Sequence, residues 1–125
     1  MADKKIVLAI DDNVVQLKLF KEMLVPAYDL RTVKSASEAM NFMNKNQVDI
    51  ILLDIEMPNI SGFEFLMDIR RIPSYMAVPV IIISGNSSSE FFTEARNSSA
   101  ADVLTKPVSP DTLVRTINKV LDQTK

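Results

Sequence analysis

The stretch IVLAIDDN, residues 6–13, places five apolar residues directly before two acids and an asparagine. The apolar part is short, continuous rather than alternating, and rich in β-branched side chains. Parallel strands that are covered by helices on both faces have this pattern. Residues 48–53 and 80–83 share it, and residues 28–33 and 103–105 show it more weakly. These five runs predict the strands of a buried parallel sheet.

Apolar residues recur at helical spacing between the runs, and this predicts five amphipathic helices. The marking residues are Leu17, Phe20 and Leu24; Ala36, Ala39, Met40 and Met43; Phe63, Leu66, Met67 and Arg70; Phe91, Phe92 and Ala95; and Leu113, Ile117, Val120 and Leu121. Ser35 or Ser37 is suited to cap the second helix, and Ser109 with Pro110 suits the start of the last. Alternating strands and helices with right-handed crossovers predict an α/β fold with helices on both faces of the sheet.

The composition of the 125 residues excludes several kinds of chemistry. The chain has no histidine, cysteine or tryptophan, and its formal net charge is -2. A Ser-His-Asp triad, a thiolate nucleophile and a zinc-thiolate site are therefore excluded. The mild acidity argues against a nucleic-acid surface, and the apolar run near the N-terminus is too short for a signal peptide or a membrane span. We expect a cytoplasmic protein that contacts neither nucleic acid nor membrane.

Polar side chains follow four of the predicted strands. Asp11 and Asp12 follow the first, Asp54 the third, Ser84 the fourth and Lys106 the fifth. Ligands of open α/β sheets bind beyond the carboxyl ends of the strands, so these five side chains are expected at one edge. Each has an ordinary explanation when taken alone, such as capping a helix or lying in a turn. Their joint placement favours a functional site.

The charges of this predicted cluster call for a cation. Three carboxylates and one lysine sum to -2, and two like charges ~4 Å apart repel by about 4 kcal/mol at an effective dielectric constant near 20. Mg²⁺, or Mn²⁺, suits such an oxygen-rich site. The carboxylate of Asp54 could then act as a nucleophile toward a phosphoryl group. Lys106 and Ser84 could stabilise the charge on the transferring oxygens.

On these residues the sequence resembles the receiver domain of two-component response regulators. The matching segments are residues 11–13, residues 54–58 with Gly62 following, residues 84–85 and residues 106–107, and their order and spacing also agree. The resemblance implies a flavodoxin-like, doubly wound sheet of five parallel strands in the order 2-1-3-4-5. It covers the whole chain, so we expect a single receiver domain over residues 1–125, either complete or excised from a larger regulator.

The resemblance also implies roles for the acids. Asp54 would be the phosphoacceptor, and a sensor histidine kinase or histidine phosphotransfer protein would supply the phosphoryl group from a phosphohistidine. Asp12 and Asp54 would bind magnesium directly together with the backbone carbonyl of Glu56, and Asp11 would act mainly through water. The output would be binding to an unidentified protein target. The chain would be a signalling module with self-catalysed phosphotransfer and autodephosphorylation rather than an enzyme in the ordinary sense.

Further positions are assigned by the same resemblance. Ser84 takes the place of the switch hydroxyl, Lys106 would contact the phosphoryl group, and the Lys106–Pro107 peptide bond would be cis. Glu56 and Asn86 lie two residues beyond Asp54 and Ser84, where the family tunes the lifetime of the acyl phosphate.

Val103 is a departure, because the family usually has an aromatic ring at this switch position. A phosphorelay carrier or phosphate sink is therefore an alternative function. A hydrolase of the aspartyl-phosphate type is a third, although Asp11 and Asp12 are adjacent rather than separated by one residue as in haloacid-dehalogenase-like phosphatases.

Overall fold

The five apolar runs form the strands of one sheet, and a helix follows each strand. The computed structural model describes residues 4–57 and 61–123, so Pro58 of the motif after Asp54 lies outside the described residues. In chain order the elements are β1 (Ile6–Ile10), α1 (Val14–Leu24), β2 (Asp29–Val33), α2 (Ala36–Lys45), β3 (Ile50–Asp54), α3 (Gly62–Arg70), β4 (Val80–Ser84), α4 (Ser89–Asn97), β5 (Asp102–Thr105) and α5 (Pro110–Gln123).

The strands are parallel and lie in the order β2-β1-β3-β4-β5, which is the order that the resemblance implied. Residues of β1, β3 and β4 alternate between two buried clusters. One cluster packs the sheet against α2, α3 and α4, and the other packs it against α1 and α5. Burial on both faces explains why these strands read as continuous apolar runs in the sequence.

The strand bounds differ slightly from those predicted. β3 begins at Ile50 and includes Asp54, and β4 includes Ser84, so both polar residues end a strand rather than follow it. β2 begins at Asp29, one residue later than expected, and β5 begins at Asp102. Backbone pairing with the neighbouring strands extends the strands to these polar residues. Apolar patterning alone does not reveal this extension.

Polar side chains cap the helices as the sequence indicated. Asn13, rather than Asp12, caps α1 by accepting from the amides of residues 15 and 16 at 2.9 and 3.2 Å. Ser35, rather than Ser37, caps α2, and Ser88 caps α4. The Ser109 hydroxyl accepts from the amide of residue 112 at 3.2 Å, which agrees with the predicted start of α5. Asp12 is thereby left without a capping role.

The buried face of α3 overlaps the predicted one at Leu66 and at Phe63, which is partly buried against the core, but not at Met67. Phe65, Leu66 and Ile69 are buried, whereas Met67 is 55% exposed. The first residue of the helix lies very close to the chain after β3, because a Cβ atom added to Gly62 would lie 2.8 Å from the Cα atom of Ile55. No helix among the described residues is long and apolar enough to cross a membrane.

Candidate functional site

The predicted acidic cluster lies at the carboxyl edge of the sheet. Asp11 directly follows β1 and Asp54 ends the adjacent β3, and both residues are buried, with relative exposures of 1% and 4%. One carboxylate oxygen from each of Asp11, Asp12 and Asp54 lies within 4.8 Å of the others. Asp12 is exposed, so the cluster opens to solvent on its side. The structure thus brings together the three acids that the sequence singled out.

Lys106 lies against the two buried acids. Its Nζ atom is 3.5 Å from Oδ2 of Asp11 and 3.5 Å from Oδ1 of Asp54. The backbone amide of Lys106 donates to the carbonyl of Ser84 at 2.8 Å, which fixes the end of β5 beside β4. The Lys106–Pro107 peptide bond is cis, as the resemblance implied. One ammonium group is therefore shared between two carboxylates.

Backbone amides hold the two buried carboxylates in place. The amide of Asn13 donates to Oδ1 of Asp11 at 2.9 Å, and the amide of Glu56 donates to Oδ1 of Asp54 at 3.1 Å. Oδ2 of Asp11 is buried and has no hydrogen-bond partner among the described residues, although Lys106 lies 3.5 Å away. A buried carboxylate oxygen without a donor is costly unless a cation or another donor reaches it.

Burial raises the pKa of Asp54 to about 6. The amide of Glu56 and the ammonium of Lys106 lower this pKa, whereas the neighbouring Asp11 raises it. Ionisation of Asp54 is thus opposed by loss of water and by a second negative charge. A divalent cation would oppose both effects, and three carboxylates without nitrogen or sulfur ligands suit hard Mg²⁺ or Mn²⁺. The donor set therefore fits the ion that the sequence predicted.

Ser84 is buried at the end of β4 and takes part in a small hydrogen-bonded group. Its hydroxyl donates to Oε1 of Glu56. The backbone amide of Asn86 lies 3.1 Å from the same Oε1 atom and 2.9 Å from Oγ of Ser84. The sequence placed Glu56 at the site through its backbone carbonyl and as a lifetime-tuning position. It did not indicate that the side chain would bind Ser84.

The register between β3 and β4 explains this contact. Asp54 is aligned with Ile83, so a residue two positions past Asp54 lies near the chain just past Ser84. One feature of the sequence indicates this contact. Glu56 and Asn86 are both polar, and each lies two residues beyond the last residue of one of two adjacent strands, β3 and β4. The sequence does not indicate the rotamer that turns the Glu56 side chain toward Ser84.

Val103 lies in β5 and is aligned with Ile82 of β4. Its side chain is half-buried and lines a cavity of about 360 Å³ together with Phe92, Pro107 and Thr112. A valine leaves this cavity open where a ring would occupy part of it. This cavity forms a groove along the edge strand β5, beside the site, and no aromatic side chain at position 103 fills it.

Comparisons with known proteins agree with this geometry. The response regulator receiver domain model matches residues 7–118. Protein PilH of Pseudomonas aeruginosa is 28% identical over 116 residues, covering 92% of this chain and 96% of that protein. Sensor histidine kinase RcsC of Salmonella typhimurium is 29% identical over 116 residues, and the match covers 92% of this chain but only 12% of the kinase.

Solved structures show the same fold over nearly the whole chain. A CheY-like receiver domain protein of Methanospirillum hungatei matches with a TM-score of 0.88 and 25% identity, covering 98% of this chain and 97% of that one. Chemotaxis protein CheY4 of Vibrio cholerae matches with a TM-score of 0.87 and 30% identity, covering 94% of this chain and 98% of that one. With the family model matched over most of its length, the chain belongs to the response regulator receiver domains of two-component systems.

Proposed function

We propose that this receiver domain accepts a phosphoryl group on Asp54 and that the modified form binds a different set of protein partners. The observation that carries the proposal is the position of Asp54, buried beside Asp11 and 3.5 Å from the Nζ atom of Lys106. A carboxylate held next to both a fixed ammonium and a cation-binding set of acids is suited to attack phosphorus.

An oxygen of the ionised Asp54 attacks the phosphorus of a phosphohistidine on a sensor histidine kinase or a phosphotransfer protein. The new O–P bond forms as the N–P bond breaks, and the imidazole nitrogen takes a proton from solvent. Lys106 lies where it can neutralise part of the oxygen charge, and Ser84 can donate its hydroxyl to a phosphoryl oxygen.

The carboxylates of Asp12 and Asp54, with the backbone carbonyl of Glu56, are the groups we expect to hold Mg²⁺ or Mn²⁺, and Asp11 would act mainly through water. When bound, the ion supplies neutralisation of the charge on the carboxylates and the phosphoryl oxygens. The Oδ2 atom of Asp11, which is paired with Lys106 but has no hydrogen-bond partner among the described residues, and the raised pKa of Asp54 support this assignment. Both conditions are relieved when positive charge enters the cluster.

The output we propose is a change in protein binding. Ser84 is the last residue of β4 and directly precedes the turn that leads to α4, so recruiting its hydroxyl to a phosphoryl group would shift a pre-existing equilibrium of that turn. The downstream target is an unidentified protein, and the cytoplasm is the compartment we expect. Autodephosphorylation returns the domain to its starting state when water attacks the acyl phosphate.

A phosphorelay carrier or phosphate sink is a second candidate function, and the groove beside Val103 favours it. Without a ring at this position, β5 has no aromatic side chain whose rotation would report phosphorylation of Asp54. A carrier needs less conformational readout than a switch does. Transfer of the phosphoryl group from this chain back to a histidine partner would distinguish the carrier from the switch, and multiple turnover on small phosphoesters would indicate a hydrolase instead.

The chain spans only 12% of the sensor histidine kinases that it matches, so the activity of any larger protein that contains it is also a matter of proposal. The match to PilH over 96% of that protein supports a small receiver that acts by itself. Either arrangement keeps the same acceptor chemistry at Asp54.

Intact mass spectrometry after incubation with phosphoramidate and magnesium tests the proposal. The wild type should gain the mass of one phosphoryl group, and the gain should disappear without the metal or after brief exposure to acid. Asp54→Asn is the matched control because it keeps the size of the side chain and removes the nucleophile. A gain that persists in Asp54→Asn, or no gain in the wild type, would contradict the proposal.

A further inference from the structure

Glu56 is exposed, yet both its backbone amide and its side chain form hydrogen bonds within the site. Its backbone amide donates to the acceptor carboxylate of Asp54 at 3.1 Å. Its side chain accepts from the hydroxyl of Ser84 and from the backbone amide of Asn86, at 3.1 Å in the second case. A Cβ atom at Gly85 would lie 4.0 Å from Oε2, which places the carboxylate over the turn after β4. One residue therefore connects the acceptor to the switch hydroxyl.

The two donors that Glu56 occupies are suited to an anion. A hydroxyl and a backbone amide that converge on one carboxylate oxygen would equally satisfy a phosphoryl oxygen, because both acceptors are anionic oxygens of similar hydrogen-bond length. Ser84 lies one residue beyond Ile83, which is the partner of Asp54 in the neighbouring strand. A phosphoryl group on Asp54 would therefore reach the same region. The aspartyl phosphate would carry about two negative charges where the ionised Asp54 carries one, so it would add about one negative charge close to a carboxylate.

We propose that the Glu56 carboxylate is an internal stand-in for a phosphoryl oxygen. In the unmodified protein it holds the Ser84 hydroxyl and the Asn86 amide, and it has to leave before Ser84 can donate to a phosphoryl group on Asp54. We call Glu56, Ser84 and Asn86 together the carboxylate latch. The inference rests on the proposed phosphoacceptor function, and it makes Glu56 a positioning residue that acts through Ser84.

The latch has a definite thermodynamic consequence. If only the fraction of molecules with Glu56 released can bind the phosphoryl group fully, the apparent affinity falls by that fraction. Removing the carboxylate removes both this competition and a like charge. The gain should depend on Ser84, because the hydroxyl is the group for which the two anions compete. A purely electrostatic effect of Glu56 would not depend on Ser84.

Beryllofluoride with magnesium, a stable analogue of the phosphoryl group on a carboxylate, is the probe, and titration calorimetry gives its affinity. Glu56→Ala should tighten binding about tenfold, as expected for removing one competing charge-assisted hydrogen bond. Glu56→Gln keeps an acceptor atom without the charge and should tighten binding less, by about threefold. Glu64→Ala is the matched control, because it removes an exposed acid of α3 without touching Ser84. It should leave the affinity unchanged.

The same measurement in a Ser84→Ala background tests the coupling. There the gain from Glu56→Ala should shrink to less than about threefold, because only the Asn86 amide is still contested. An equal tenfold gain in both backgrounds, or the same gain from Glu64→Ala, would overturn the latch. No gain from Glu56→Ala would overturn it as well.

A second arm needs no phosphoryl analogue. In amide NMR spectra of the unmodified protein, Glu56→Ala should move the Asn86 resonance upfield because that amide loses one of its two acceptors and keeps only Oγ of Ser84, and Glu64→Ala should not. An unmoved Asn86 resonance would overturn the latch. Beryllofluoride binding to Asp54→Asn distinguishes a failure of the latch from a failure of the proposed phosphoacceptor function. Beryllofluoride binding that is absent, or that is equal in wild type and Asp54→Asn, would overturn the phosphoacceptor proposal and the latch with it.

Discussion

The chain segments that follow β3 and β4 both begin at a site residue of a fully buried strand, yet they are held in different ways. After β3, the amide of Gly62 donates to the carbonyl of Ile55 at 3.2 Å, and the backbones approach so closely that a Cβ atom at Gly62 would lie 2.8 Å from the Cα atom of Ile55. After β4, Gly85 is exposed, and the nearest atom to an added Cβ would be Oε2 of Glu56 at 4.0 Å.

Under the proposed function, this difference would separate the part of the site that performs chemistry from the part that moves. Asp54 ends a strand whose next residue, Ile55, is packed against Gly62 at the start of α3, so we expect the Asp54 carboxylate to keep its place. Ser84 ends a strand whose continuation is held by side-chain hydrogen bonds through Glu56 and Asn86. Side-chain hydrogen bonds exchange more readily than packed backbone contacts, so, under the proposed function, we expect phosphorylation to change the surface at the turn after β4.

The largest expected effect is the loss of stability when a methyl group is added at Gly62, and the same change at Gly85 provides the comparison. Gly62→Ala should lower the free energy of unfolding by about 1–3 kcal/mol, because backbone atoms of residues 54 and 55 have to move away from the new Cβ atom. Gly85→Ala is the matched control and should change stability by less than about 0.5 kcal/mol. Urea denaturation measures both, and equal effects of the two substitutions would show that the segments are packed alike.

The second prediction concerns the rigid part of the site in the absence of metal. A carboxyl group whose pKa is higher in the folded than in the unfolded state binds more protons when folded, so stability falls as pH rises between the two values. For Asp54 the window runs from its ordinary value of 3.8 to about 6. In EDTA the free energy of unfolding should therefore fall by about 1–2 kcal/mol across this window, relative to Asp54→Asn.

Magnesium should offset that loss above pH 6, because the cation binds the ionised carboxylates of the folded state. Parallel urea denaturation series of the wild type and of Asp54→Asn, each with EDTA and with magnesium, measure both effects. Indistinguishable pH profiles of the two proteins in EDTA would mean that burial does not oppose ionisation of Asp54.

The third prediction compares the serines that cap the two following helices. Ser61 accepts from the amide of Phe63 at 3.1 Å, and Ser88 accepts from the amide of Phe91 at 3.1 Å. Ser88→Ala should cost about 1 kcal/mol, as is usual for a lost N-cap. Ser61→Ala should cost less, because the contact of Gly62 still holds the start of α3. Hydrogen exchange at Phe63 and Phe91 measures the local loss, and a greater loss at Phe63 would reverse the comparison.

The smallest expected effect lies at the edge strand. Val103→Phe should enter the cavity beside Phe92 and change the free energy of unfolding by no more than about 0.5 kcal/mol, because aromatic contact and loss of side-chain freedom nearly cancel. Val103→Leu is a control that adds bulk without a ring. A loss above about 1 kcal/mol in thermal or urea denaturation would mean that the groove is closed and packed.

Much of the fold was predictable because burial on both faces leaves continuous apolar runs such as residues 80–83. The gathering of Asp11, Asp54 and Lys106 was also predictable, since parallel strands end at one edge. On α3 the prediction was right for Leu66 and wrong for Met67, which is exposed while Phe65 and Ile69 are buried. Two apolar stripes overlap on this helix, and the one that faces the sheet is decided by tertiary packing and not by periodicity.

The link between Glu56 and Ser84 was beyond the sequence for a related reason. It requires the register of β3 against β4, the position of the turn after Ser84 and a particular rotamer of Glu56. Strand-end rules identify which residues share an edge of the sheet. They do not specify which side chains bond to each other across it.

Borohydride trapping distinguishes Asp54 from its acidic neighbours as the residue that carries the phosphoryl group. After treatment with phosphoramidate and magnesium, borohydride reduces an aspartyl phosphate to homoserine, which peptide mass mapping then locates in the chain. We expect homoserine at position 54 alone, with none formed when magnesium is omitted. Unreduced aspartate at position 54 in protein that carries a phosphoryl group, or homoserine at position 11 or 12, would contradict it.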